Sequence, residues 1–175
     1  DFPDAKIHVV DTRTIGSGLG VLVNEALEWA RQGRSAEEIV KHTGDLGKRE
    51  IIYLYVDTLE FLRRGGRIGG ASALLGEVLQ IKPILRMANG RIEPFEKLRT
   101  KKKAVARLKE LVFEQCPPNA SSFLHIQHCE AMEEAQVLAA EFKAHFGFSD
   151  VPIITLPPAV ITHAGPGTLS VSFFA

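Results

Sequence analysis

The spacing of apolar residues divides the chain into helices and strands. Apolar positions recur at helical spacing over 19–30, 104–112 and 132–146, and glycine or proline follows each run. Continuous apolar runs at 6–11 and 51–56 predict strands covered on both faces. Further strands are predicted at 81–87, 91–95, 123–128, 151–155 and 169–174, and shorter helices at 58–64 and 71–79.

Local signals mark where several elements begin or turn. Ser35 and Glu38 form a capping box that opens a short helix, and Thr100 is placed to cap a later one. Asn89-Gly90 is a strong hairpin signal between two predicted strands. Because Pro83 lacks a backbone N–H, its strand is predicted to lie at a sheet edge.

The order of elements predicts two architectures along the chain. Residues 1–66 alternate strands and helices, which favours α/β layering with a parallel sheet. Residues 67–175 mix helices with hairpins, which favours a two-layer α+β domain on a mixed sheet. A buried parallel strand at 6–11 requires neighbouring strands, so we expect the chain to be a fragment or processed form of something longer.

Composition narrows the class of protein. The chain has 21 Lys and Arg against 21 Asp and Glu, and 45% of its residues are hydrophobic, as in an ordinary soluble globular protein. The balanced charge provides no global attraction to nucleic acid or membrane. No apolar run approaches the roughly 18 residues of a membrane helix, and two cysteines suit neither a disulfide framework nor a metal motif. Cytoplasm is the expected location.

Two glycine-rich segments carry the residues best suited to bind an anion. Arg67 lies among four glycines in 65–70, and His163 precedes Ala-Gly-Pro-Gly at 164–167. Arginine stays charged and its planar fork of donors suits carboxylate or phosphate, while glycine lets backbone approach a ligand. Together the two segments predict an anion-recognition site.

Two other features are weaker candidates for a site. Gly16–Gly20 lies between a predicted strand and a helix, where a pyrophosphate could bind, but Val21 replaces the third glycine of the dinucleotide fingerprint. A plain tight turn is therefore favoured over nucleotide binding. His125 and His128 would face opposite sides of a strand, which disfavours a zinc site with Cys129.

Basic residues cluster where a helix begins at Thr100. They are Lys97, Arg99 and Lys101–Lys103. Cations in a first helical turn cost about 0.3–1 kcal/mol each against the helix macrodipole, so helix formation does not explain them. They form either a solvated face or a docking surface for an acidic partner, with protein favoured over nucleic acid.

Four segments resemble the signature segments of the DegV family, in the same order. They are Thr58–Ile68, Leu79–Leu85, Glu96–Ala104 and His163–Gly167. Val10-Asp11-Thr12, before a glycine-containing helix start, extends the resemblance over nearly the whole chain. It implies that 1–66 is the C-terminal part of a first, Rossmann-like domain and 67–175 the second domain.

The resemblance also implies a function. DegV proteins bind one long-chain fatty acid between two domains, so the chain is expected to be a carrier and not an enzyme. Arg67 and His163 would hold the carboxylate, and Gly66, Ile68 and Gly165 would line the pocket. No metal is expected, and no cofactor besides the fatty acid as ligand.

A partner follows from the same resemblance. Some bacterial members present the carboxylate to the catalytic subunit of a fatty acid kinase, which converts it to an acyl phosphate. Arg99, with Lys97 and Lys101, would dock that kinase; nucleic acid and a membrane-spanning segment are not expected.

Two departures from the family pattern are visible. Ala164 stands where members usually have threonine. The family's N-terminal segment, which supplies hydroxyls to the carboxylate and one wall of the tunnel, is not in this sequence.

Two alternative functions remain open on sequence grounds. One is a small hydrolase or transferase that acts on an acylated or phosphorylated metabolite through His163 and Arg67. The other is nucleotide binding at Gly16–Gly20.

Overall fold

Six strands form one mixed sheet in the order β3-β2-β1-β6-β4-β5. The computed structural model describes residues 5–74 and 81–175. The strands are β1 Glu50–Tyr55, β2 Lys82–Ala88, β3 Arg91–Leu98, β4 His125–Cys129, β5 Ile153–Thr155 and β6 Thr168–Phe174. Only β4 and β5 pair in parallel among the described strands.

In the part of the chain that the structure describes, six α-helices cover the two faces of this sheet. They are α1 Gly16–Arg31, α2 Ala36–Gly47, α3 Glu60–Arg64, α4 Lys101–Gln115, α5 Met132–Phe146 and α6 Pro158–Ala164. The main core lies between the sheet and α4 and α5, where Leu108, Leu138 and Phe142 are buried. On the opposite face, smaller clusters bury Leu62 of α3 and Leu22 of α1.

The strand predicted at 51–56 is confirmed and lies in the middle of the sheet. Tyr53 and Tyr55 point into the main core, whereas Leu54 and Val56 join the cluster on the other face. Both faces are buried, as the continuous apolar run predicts. β1 is antiparallel to both of its neighbours, β2 and β6. The sheet therefore continues across residue 66, and the division at that position stays a prediction.

Local capping and turn signals are confirmed at four places. The Ser35 side chain accepts from the Glu38 backbone N–H, and the Glu38 carboxylate accepts from the Ser35 N–H. Thr100 caps α4 by accepting from the Lys103 N–H. Asn89-Gly90 turns β2 into β3 with φ of 52° and 73°, as a type I′ hairpin requires. Gly147 ends α5 in the left-handed region.

The strand predicted at 6–11 is wrong for this structure. Residues 5–15 have no regular secondary structure, and Ile7 and Val9 are 74% and 93% exposed. An apolar run becomes a strand only beside another strand that can pair with its backbone. Within the described residues no strand pairs with this segment.

The edge position predicted from Pro83 is also wrong. β2 lies between β3 and β1, but its pairing with β1 starts at Ile84, opposite Tyr55. Pro83 faces only Lys97 of β3, so the missing N–H interrupts no bond to β1. Pro83 is tolerated at the end of this inner strand because the pairing of β2 with β1 does not extend as far as Pro83.

Two helical segments differ from their predictions. The helix predicted at 71–79 is a 3₁₀ helix over Gly69–Leu74, and the remainder of that prediction lies outside the described residues. The helix α6 was not predicted. Its seven residues begin with Pro158 at the first helical position, and they are too few to show a full apolar period.

Candidate functional site

Arg67 is positioned by the way in which α3 ends. Gly66 has a φ of 67° and donates its N–H to the Arg63 carbonyl at 3.1 Å, while the Arg67 N–H reaches the Leu62 carbonyl at 2.9 Å. This pair of bonds is a Schellman motif, which needs a residue without Cβ strain at the position of Gly66. The guanidinium of Arg67 then folds back to donate to the Gly65 carbonyl at 2.9 Å.

His163 lies in the last turn of α6, and three hydrogen bonds hold the loop that follows it. The Thr168 hydroxyl lies 3.0 Å from the Ala164 carbonyl and 2.8 Å from that of Gly165. The Gly167 N–H donates to the Cys129 carbonyl of β4 at 2.8 Å. These bonds fix the backbone that follows His163 onto the sheet.

The two glycine segments pack against each other. A Cβ at Gly65 would overlap the Nδ1 of His163, and a Cβ at Gly165 would overlap the ring of Phe61 in α3. Gly65, after α3, therefore leaves room for His163 of α6, and Gly165, after α6, leaves room for Phe61 of α3. The glycines were interpreted as ligand-approach positions, and in the structure these two serve the contact between α3 and α6.

Arg67 and His163, the two residues predicted to form an anion site, line the same cavity. The cavity has a volume of about 400 Å³ and lies between the sheet and the ends of α3 and α6. Most of its wall is aliphatic, formed by Ile15, Ile52, Leu54, Leu62, Met87, Ile92, Leu156, Ala159, Val160 and Ala164. A permanent cation and an imidazole thus share an otherwise largely apolar chamber.

The two ring nitrogens of His163 have different surroundings. Nδ1 is buried against Gly65 and has no hydrogen-bond partner in the described part of the chain. Nε2 also makes no hydrogen bond with the described residues, and the His163 side chain lines the cavity. An anionic oxygen there would meet the ring of His163 and the guanidinium of Arg67.

Three residues predicted to line the pocket lie in the loops next to the cavity described above. Gly66 is exposed at the turn, Ile68 packs into the cluster behind Leu54 and Leu62, and Gly165 is buried against Phe61. Turn glycines and the residue after Arg67 shape the loops, while the wall is made by side chains from the sheet, α3 and α6.

A polar floor under the cavity was missed at the level of sequence. Gln127 of β4 and Thr168 and Ser170 of β6 line the chamber and are buried. The alternation Thr168, Ser170, Ser172 in a strand does place three hydroxyls on one face. Only the sheet order shows that this face looks into the cavity.

The loop that carries His163 also touches a polar network at the end of β1. Asp57 accepts from the Tyr55 hydroxyl at 2.6 Å and from the Lys82 ammonium at 2.6 Å. The Lys82 hydrogen bond holds the pKa of the Asp57 carboxyl below its ordinary value, and burial raises the pKa of the Tyr55 phenol. A Cβ at Gly167 would lie 3.2 Å from the Asp57 side chain, so the loop passes close to this network.

The residues predicted to dock a partner have different environments. Arg99 is exposed between β3 and α4, and makes no ion pair with the described residues. Lys101 is half-buried, and its ammonium group already forms an ion pair with Glu134 of α5. Lys97 is exposed at the end of β3 and has an interaction of its own. Arg99 is thus the member of the set that combines an exposed side chain with no ion pair to the described residues.

Side chains from β4 and β1 occupy the space at the start of α1. The Ser17 N–H donates to the Gln127 Oε1 at 2.8 Å, and Gly18 packs directly on the Glu50 carboxyl. A pyrophosphate at Gly16–Gly20 would compete with that side-chain amide and face that carboxyl. The geometry therefore does not favour nucleotide binding here. Burial raises the pKa of Glu50 to about 7, although the Thr14 hydroxyl donates to this carboxyl.

The histidines of β4 have separate surroundings. His128 is buried and its Nδ1 accepts from the Ala131 N–H at 3.3 Å, whereas His125 contacts the Phe123 carbonyl. Across residues 5–74 and 81–175, no group of three His, Cys, Asp or Glu side chains could hold a metal ion. In the same ranges, no helix is long and apolar enough to span a bilayer.

The sheet, the covering helices and the chamber define an α/β protein with a largely apolar cavity that Arg67 and His163 also line. The chain belongs to the DegV family, whose model matches residues 1–175. This confirms the resemblance and the fold class that it implied.

Individual relatives match over most of this chain. A DegV domain-containing protein of Streptomyces coelicolor is 39% identical over 166 residues, which are 94% of this chain and 59% of the relative. The crystal structure of a fatty acid binding DegV family protein from Streptococcus agalactiae matches with a TM-score of 0.88 and 31% identity, over 99% of this chain and 61% of that chain.

A second solved structure agrees with these matches. It is described as DegV, a fatty acid binding protein from Bacillus subtilis, and matches with a TM-score of 0.84 and 32% identity over 96% of this chain. The chain spans about 60% of the length of each of these relatives.

Proposed function

We propose that this protein binds a long-chain fatty acid, with the carboxylate at Arg67 and His163 and the acyl chain in the adjoining cavity. The observation that carries the proposal is the meeting of these two side chains, from distant parts of the chain, at one aliphatic chamber. The descriptions of the two solved relatives as fatty acid binding proteins support it.

The energetics suit such a ligand. Each buried methylene contributes about 0.8 kcal/mol, so a long acyl chain gains on the order of 10 kcal/mol before ordering costs. A carboxylate beside an apolar wall is costly unless charge and hydrogen bonds meet it. Arg67 supplies a fixed positive charge and His163 a ring nitrogen, which are the partners that a carboxylate needs.

We further propose that the bound carboxylate is presented to the catalytic subunit of a kinase. In that reaction a carboxylate oxygen attacks the terminal phosphorus of ATP, ADP leaves, and an acyl phosphate forms. The exposed Arg99 would contact an acidic surface of that subunit. This part of the proposal rests on the family resemblance and on the position of Arg99 outside the cavity wall.

The test of ligand binding is denaturing mass spectrometry of purified protein. We expect a co-purified fatty acid in the wild type and about 10- to 100-fold weaker retention in Arg67→Ala, since a hydrogen bond to a charged group contributes about 1.5–3 kcal/mol. Arg64→Ala is the matched control, because Arg64 is an exposed arginine of α3 that pairs with Glu60 outside the cavity wall.

Two outcomes would count against the proposal. If wild-type protein carries no fatty acid after expression with abundant lipid, the proposed fatty acid binding is wrong. Equal retention in Arg67→Ala and Arg64→Ala would remove Arg67 from the carboxylate site.

A further inference from the structure

The floor of the cavity holds two buried polar side chains that the carboxylate site does not use. Gln127 is 2% exposed and Ser170 is 5% exposed, and both line the chamber. They are direct partners across β4 and β6, so their side chains lie next to each other on one face of the sheet.

The orientation of Gln127 leaves its amide nitrogen free to donate. The Ser17 N–H donates to Gln127 Oε1 at 2.8 Å, which fixes the oxygen toward α1 and leaves Nε2 as the remaining hydrogen-bonding group. Neither Nε2 of Gln127 nor the Ser170 hydroxyl makes a hydrogen bond with residues 5–74 or 81–175.

The neighbouring hydroxyls of β6 differ from Ser170. Thr168 donates to the carbonyls of the His163 loop, and Ser172 lies 3.2 Å from the Ser17 hydroxyl outside the cavity wall. Ser170 is thus flanked on its own strand by hydroxyls that are already paired. The unpaired groups are confined to the part of the floor that faces the cavity.

These groups lie part way along the chamber. Thr168 is bonded to the loop of His163 and marks the carboxylate end, and Ser170 is two residues farther along β6, a distance of about 7 Å. A plain hydrocarbon chain would cover both groups and leave them without partners, which is unfavourable for buried amides and hydroxyls.

We infer that the Gln127 amide and the Ser170 hydroxyl form a second polar subsite, for a fatty acid that carries an oxygen substituent part way along its chain. A hydroxyl or keto oxygen at that depth accepts a hydrogen bond from Gln127 Nε2. The Ser170 hydroxyl donates to the same oxygen, or accepts from it when it is a hydroxyl. The inference rests on the proposed function, and it adds a preference within the class of fatty acids.

The experiment measures binding of octadecanoic acid and of hydroxyoctadecanoic acids with the hydroxyl at successive carbons. Delipidated protein is titrated with each by displacement of a fluorescent fatty acid. We expect one position, or two adjacent positions, of the hydroxyl to bind about three- to tenfold more tightly than the unsubstituted acid. Other positions should bind more weakly than the unsubstituted acid.

Three variants attribute the preference to the floor. Ser170→Ala removes the hydroxyl, and Gln127→Glu, when ionised, removes the amide donor but keeps an oxygen that accepts from Ser17. Each should abolish the preference, which is measured as the ratio of the affinities for the hydroxylated and the unsubstituted acid in the same variant. Ser172→Ala is the matched control, since it removes a buried hydroxyl of the same strand outside the cavity wall. It should keep the preference.

The outcomes separate this inference from the proposed function. If octadecanoic acid binds as tightly as every hydroxylated isomer, or if Ser170→Ala keeps the preference, the polar subsite is overturned and fatty acid binding stands. If none of the acids binds to the wild type, both fall.

Discussion

Glu50 places a carboxyl group under the first turns of α1, where water has little access. It contacts Gly18 and accepts from the Thr14 hydroxyl, and its Oε1 has no partner among the described residues. Because burial disfavours the charged form, the pKa rises from 4.5 to about 7. At the residue scale, this is the clearest conflict between a side chain and its surroundings.

The conflict predicts a specific pH dependence of stability. Between pH 4.5 and 7 the folded protein holds the Glu50 proton and the unfolded chain releases it, so the free energy of unfolding falls as pH rises. The loss is up to about 3 kcal/mol and is complete above pH 7. Urea unfolding of the wild type and of Glu50→Gln across pH 4–8 measures it.

The difference between the two proteins isolates Glu50. Glutamine mimics the protonated carboxyl, so the variant should match the wild type near pH 4.5 and exceed it above pH 7. Burial lowers the pKa of His125, but this contribution is present in both proteins and cancels. A constant difference at all pH values would show that Glu50 is not the titrating group.

At the scale of elements, the site depends on the contact between the ends of α3 and α6. Gly65 makes room for His163, and Gly165 makes room for Phe61. Gly165 also has φ 79° and ψ 171°, a region that is open essentially to glycine alone. The conformation of each loop therefore depends on its contact with the other loop as well as on its own sequence.

This contact predicts that Gly165→Ala is strongly destabilising. The new methyl group adds backbone strain and overlaps Phe61, and we expect the free energy of unfolding to fall by about 2–4 kcal/mol. Gly44→Ala is the control. Gly44 lies in α2 with open space around it, so the change should be neutral or raise stability by up to about 1 kcal/mol.

A double variant separates strain from overlap. Phe61→Ala should recover part of the loss in Gly165→Ala, because it removes the ring that the methyl group would meet. Thermal or urea unfolding of the four proteins gives the coupling. Equal stability of Gly165→Ala and Gly44→Ala would contradict the packing role.

At the scale of the whole molecule, the cavity and the exposed Arg99 lie in different regions. The cavity lies on the face covered by α3 and α6, and Arg99 lies outside its wall, ahead of the helix α4 on the opposite face. The proposed ligand binding and the proposed partner docking are therefore separable by substitution. Lys101, which pairs with Glu134, contributes to the packing of α4 on α5 as well.

The separation predicts that Arg99→Ala retains fatty acid and loses coupling to a kinase. Retention by mass spectrometry should equal that of the wild type, while phosphate transfer from ATP by an added fatty acid kinase catalytic subunit should slow about tenfold or more. Arg91→Ala, at the other end of β3, is the matched control. Loss of fatty acid in Arg99→Ala, or unchanged transfer, would overturn this division.

Elements with local signals are predictable from the sequence. The capping box at Ser35, the Asn89-Gly90 hairpin and the helix stop at Gly147 each depend on a few adjacent residues. The strand at 6–11 fails because strand formation needs a partner that the run itself does not specify. The short helix α6 was not predicted because seven residues are too few to show a helical period of apolar positions.

The sequence by itself determined the residue types of the site and the family. Arginine and histidine beside glycine are visible in the chain, and their chemistry toward an anion follows from their side chains alone. The tertiary structure decided that Arg67 and His163 share one cavity, that Gly65 and Gly165 pack rather than line it, and that Gln127 and Ser170 form its floor. The physical reason is the range of each interaction. Caps, turns and periodicity act over a few residues, whereas the cavity is enclosed by the order of strands in a sheet that joins distant parts of the chain.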